Sequence, residues 1–180
     1  MFGQNRPAQA VRHQHLASRL VAMVSGDSPG WFVTGILAGI VGKVASVVVG
    51  LPIVLVAAWA GVDPFEGFSG RLPALSWKVV AAALVVAPIL ESLLVWLSVW
   101  LLQGRLRRGL AATSLISGSV MAALHGASLV SVTVFPAFAL QALILARWRL
   151  RGSPSKGYWS IAIAHLVMNG STVWLAAIFM

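Results

Sequence analysis

The chain has no cysteine, and only four of its 180 residues are acidic: Asp27, Asp63, Glu66 and Glu91. The first absence excludes disulfides, thiolate metal sites and a cysteine nucleophile, and it leaves the redox compartment open. The second makes each carboxylate worth accounting for. Charged residues of both signs are also scarce, at 9%, where a soluble domain carries about one-quarter. With 59% hydrophobic residues and a mean hydropathy of +0.90, the composition is that of an integral membrane protein. The length suits one compact bundle and not two domains. The net charge of +9 would suit nucleic acid if it formed a patch. Instead the basic residues sit in short clusters between apolar runs, so no nucleic-acid partner is implied.

Five apolar runs follow one another: Trp31–Ala60, Trp77–Leu102, Leu110–Ser128, Leu129–Ala146 and Tyr158–Phe179. They lack period-two alternation and are too long for barrel strands. The reading is an all-α polytopic bundle of about five spans. Residues 1–30 form a basic flank in which Leu16, Leu20 and Val24, spaced four apart, suggest an interfacial helix. Residues 31–180 form one membrane-embedded domain. The basic clusters fall on every second connection: Arg6, Arg12 and Arg19; then Arg105, Arg107 and Arg108; then Arg147, Arg149, Arg151 and Lys156. That pattern places the N-terminus in the cytoplasm and the C-terminus on the opposite side. Arg71 and Lys78 on the far side run against it.

Against this background a few polar residues stand out. Glu91 is the only acid within an apolar run. A carboxylate at membrane depth costs several kcal/mol and is rare without a partner or a task. His125 ends the stretch Met121-Ala-Ala-Leu-His125 in the third run, and His165-Leu-Val-Met-Asn169 lies in the fifth. Residues four apart share a helical face, so His165 and Asn169 point the same way. Taken singly, a membrane histidine is usually a packing residue and a membrane asparagine usually joins helices. Taken together, one glutamate, two histidines and an asparagine on three runs suggest a hydrolytic or metal site. Lys43 is a weaker candidate: it either approaches Glu91 as an ion-pair partner or snorkels. Ser92, Ser98, Ser117, Ser119 and Ser131 read as ordinary small residues of membrane helices.

The ordered set resembles the CAAX protease and bacteriocin-processing family of intramembrane endopeptidases. Its motifs run E-E-x-x-x-R, F-x-x-x-H and H-x-x-x-N or H-x-x-x-D, each on a membrane helix. Here Glu91-Ser92-Leu-Leu-Val-Trp96 stands at the first, with Ala87-Pro88 ahead of it. Met121 to His125 stands at the second, and His165 to Asn169 matches the third in full. The resemblance covers about residues 80–175. The second glutamate of the first motif is Ser92 and the arginine is Trp96. Those positions are four apart, as an ion pair would be, so their joint replacement reads as one lost structural pair, with Glu91 retained. Met121 in place of phenylalanine alters packing and not chemistry.

The resemblance implies peptide-bond hydrolysis of a membrane-anchored protein or peptide precursor, in the inner membrane of a bacterium or archaeon. The expected catalytic set is Glu91, His125, His165 and Asn169. Glu91 would activate water while the others position it and stabilise the oxyanion. The zinc alternative takes Glu91, His125 and His165 as ligands, but then no membrane carboxylate remains as base. The metal-independent reading is therefore preferred, with no cofactor. Three rivals remain. The first is a catalytically inactive member of the fold serving as an immunity or assembly factor. The second is a serine protease using Ser117 or Ser119 with His165, and the third is a proton-coupled transporter. By helical rise, His125 lies about 22 Å and His165 about 10–12 Å from the basic ends of their runs, a mismatch in depth.

Overall fold

The computed structural model describes residues 30–64, 66, 76–126, 128–129 and 131–179, together with residues 18 and 22. The expected interfacial helix over Leu16, Leu20 and Val24 lies outside them. Five helices occupy the five apolar runs, and no strand occurs among the described residues. We label them α1 (Trp31–Trp59), α2 (Trp77–Arg105), α3 (Leu110–Leu124), α4 (Ser131–Leu150) and α5 (Pro154–Phe179). Helices α1, α2 and α4 are each long and apolar enough to cross a bilayer. The 26 residues of α5 have the length of a span. The 15 residues of α3 rise only about 22 Å.

The bundle carries its large aliphatic side chains outward. Val44, Val48 and Leu55 of α1 and Leu90, Leu93 and Leu97 of α2 are exposed. In water such faces would be a liability, and in lipid they are the solvent-matched surface. At the closest helix contacts, small and hydroxyl-bearing residues let the helices approach one another. Gly35 and Gly39 of α1 face α5 so tightly that a Cβ would meet the Ser160 carbonyl oxygen at 2.6 Å and that of Ala164 at 2.7 Å. Gly118 of α3 does the same against the Ala139 backbone of α4. Hydroxyls bond across these contacts: Ser160 Oγ donates to the Trp31 carbonyl at 2.8 Å, and Ser114 Oγ to that of Ala139 at 2.6 Å. Central to the packing is α4, whose Phe138, Ala142, Ile144 and Leu145 meet Val95 and Val99 of α2, Met121 of α3 and Ile161 of α5.

The helix ends differ from those read off hydropathy, for local reasons. The third run does not stay helical to Ser128. It stops at Leu124, with His125 as C-cap and Gly126 at φ 108°, a left-handed conformation suited to glycine. The Ser128 hydroxyl accepts from the Ser131 amide at 3.1 Å, at the start of α4, which then runs four residues beyond Ala146 to Leu150. Helix α5 starts at Pro154, four residues before Tyr158, because proline suits a first turn where no amide partner is needed.

These shifts correct the depths. His165 now lies about 16 Å from the start of α5, Glu91 about 20 Å from the end of α2, and His125 about 22 Å from the start of α3. The three polar groups share a layer.

Candidate functional site

Within that layer Glu91 and the two histidines converge. Glu91 Oε2 lies 2.7 Å from His165 Nε2 and 3.9 Å from His125 Nε2. The carboxylate comes from α2, one histidine from the C-cap of α3 and the other from the middle of α5. Phe138 of α4 stands between the imidazoles, its ring centroid 5.2 Å from His125 and 4.9 Å from His165. Fully buried itself, it fixes both rings from behind. Nothing in the sequence set Phe138 apart from other apolar residues of its run.

Hydrogen bonding sets the imidazole tautomers. His125 Nδ1 lies 2.8 Å from the Met121 carbonyl oxygen, which can only accept, so Nδ1 carries a proton. In the neutral ring Nε2 then carries the lone pair, turned toward Glu91. The 3.9 Å between these two atoms is too long for a direct hydrogen bond. His165 is 2% exposed, and its Nδ1 is buried with no hydrogen-bond partner. An orphaned lone pair is the less costly state for Nδ1, which puts the proton on Nε2, donated to Glu91. Glu91 keeps 25% of its side chain exposed. It opens on a groove of about 440 Å³ along the outer face of α2, beside Ala83, Ala87 and Leu90.

Asn169 takes a different place from the two histidines. Its Nδ2 donates to the Ala83 carbonyl at 2.9 Å. That carbonyl is available because α2 widens into a π-turn over Ala82–Val86. The Ala87 amide reaches back five residues to Ala82 and skips Ala83, and Pro88 has no N–H to offer it. The carboxamide of Asn169 therefore supplies a bond that Pro88 withholds, tying α5 to the turn that precedes Glu91. It has a second N–H and a carbonyl besides, and it lines a cavity shared with His125.

The remaining sequence candidates fall into place around this centre. Lys43 does not pair with Glu91. Its ammonium donates to Thr172 Oγ1 at 2.7 Å, on the far side of that cavity. Ser117 shares a hydrogen bond of 2.7 Å with Ser98, and the Nε2 of His165 faces Glu91. Ser92 is wholly buried with its hydroxyl unpartnered, and Trp96 packs half-buried against the core. A carboxylate at Ser92 would be an uncompensated buried charge, so the apolar Trp96 and the small Ser92 suit each other. Among the described residues no group of three His, Asp or Glu side chains is spaced to hold a metal ion. As placed, Glu91 and His165 contact each other directly at 2.7 Å.

Compared with known proteins, the chain matches no family profile, no curated protein and no solved structure.

Proposed function

We propose that the protein is an intramembrane endopeptidase in which Glu91 activates water for attack on a peptide carbonyl. The observation that carries this reading is the convergence of two histidines from two other helices on one oxygen of the only carboxylate in the apolar runs. A structural ion pair would need one partner. Here a second imidazole waits 3.9 Å away with its acceptor nitrogen turned toward the same oxygen.

In this reading water sits between Glu91 Oε2 and His125 Nε2, donating to both. Glu91 takes one proton as the oxygen attacks the carbonyl carbon, and the carbonyl becomes an oxyanion. The second N–H of Asn169 is available to that charge. The tetrahedral adduct then collapses, the C–N bond breaks, and Glu91 returns its proton to the departing amine. His165 orients the carboxylate, and Phe138 orients both rings. The substrate class that suits such a site is a membrane-anchored protein or peptide precursor.

The test compares cells carrying the wild type and Glu91→Gln for accumulation of an uncleaved membrane protein or precursor. Loss of cleavage with unchanged protein level supports the proposal. Full function in Glu91→Gln would favour an immunity or assembly factor on the same scaffold.

A further inference from the structure

The cavity shared by His125 and Asn169 does not contain Glu91. It has a volume of about 610 Å³ and lies between α1, α4 and α5. That size is within the range of pockets that enclose small ligands or a short stretch of chain. Its wall is mainly aliphatic. Val47 and Leu51, both exposed on the lipid-facing side of α1, form its outer edge. Its polar lining is Lys43, Ser46, His125, Thr133, Asn169 and Thr172, with Asn169 and Thr172 one helical turn apart on α5.

Lys43 is the feature that needs an explanation. It lies about 18 Å along α1, in the same layer as Glu91 and the histidines. Among the described residues no carboxylate lies within ion-pair distance of its ammonium, and its partner is the neutral Thr172 hydroxyl. A cation held at membrane depth against one hydroxyl, on the wall of an apolar cavity, is a half-made ion pair. The same cavity is lined by His125, whose Nε2 faces Glu91. A chain lying in the cavity would thus meet both a positive charge and one of the candidate reacting groups.

We propose that this cavity binds an apolar peptide segment and that Lys43 anchors a carboxylate on it. The role of the bound segment as substrate rests on the hydrolytic reading above, but the anchoring itself does not require turnover.

The experiment measures binding to the full chain in lipid nanodiscs. The probes are a short fluorescent Leu/Ala peptide with a free C-terminal carboxylate, the same peptide as its C-terminal amide, and a fluorescent fatty acid. All measurements are made in the wild type and in Glu91→Gln, so binding is read without cleavage. The acid peptide is expected to bind about tenfold more tightly than the amide, a difference typical of one charge-assisted contact. Lys43→Met should abolish that preference and leave amide binding unchanged, while Lys43→Arg should retain it. Val47→Phe, which fills the outer edge, should weaken both peptides. Equal affinity for acid and amide in the wild type would overturn the proposal. So would a preference that survives Lys43→Met, or Lys43-dependent binding of the fatty acid alone. An anchoring result obtained while Glu91→Gln remains fully functional would leave the site standing and remove its catalytic role.

Discussion

His165 Nε2 lies 2.7 Å from Glu91 Oε2, yet the histidine is 2% exposed while the carboxylate keeps a quarter of its side chain open. The asymmetry separates their roles. A hidden imidazole with an orphaned Nδ1 can hold a carboxylate in one orientation, and a carboxylate open to a groove can meet water and substrate. His125 completes the arrangement from the C-cap of α3, with its tautomer fixed by the Met121 carbonyl.

The two histidines should separate by their effects. His165→Gln removes the one close partner of Glu91, so it should lower both cleavage and thermal stability, the latter by about 1–3 kcal/mol. His125→Gln should reduce cleavage by at least about a hundredfold with a smaller stability change, since its contact to Glu91 is longer. Cleavage assays paired with thermal unfolding in detergent would read both, and identical profiles for the two variants would contradict the assignment.

Asn169 and Pro88 should be energetically coupled. Asn169→Ala leaves the Ala83 carbonyl unpaired and should cost about 1–2 kcal/mol. Pro88→Ala restores an N–H near that turn and should make the same Asn169→Ala change milder. A double-mutant cycle on unfolding would show the coupling, expected at about 1 kcal/mol.

The α1–α5 seam should tolerate no side chain at Gly39. A Cβ there would meet the Ala164 oxygen and Val167 Cβ, both at 2.7 Å. Gly39→Val should therefore destabilise by about 1–3 kcal/mol or more. Gly109→Ala is the control, since nothing lies within 4 Å of its added Cβ.

On the proposed metal-independent endopeptidase reading, cleavage should persist after stringent chelation. Complete loss restored by zinc alone would instead require Glu91 and His165 to open around a metal ion. The same assay extends to Ser117→Ala, which should stay active because Ser117 is engaged with Ser98.

The membrane class, the five helical runs and the rarity of Glu91 are properties of composition and order along the chain, so the sequence alone determined them. It also named Glu91, His125 and His165, because polar groups in apolar runs are conspicuous wherever the runs end up. Hydropathy is indifferent to where a helix starts. The early start of α5 at Pro154 came from backbone geometry, and it brought His165 toward the depth of Glu91 and His125. Which helices touch is likewise not a local property. Close approach at Gly35, Gly39 and Gly118 set the register between helices. Only that register placed Phe138 behind both imidazoles, gave Asn169 the carbonyl that Pro88 leaves bare, and turned Lys43 away from Glu91 toward Thr172.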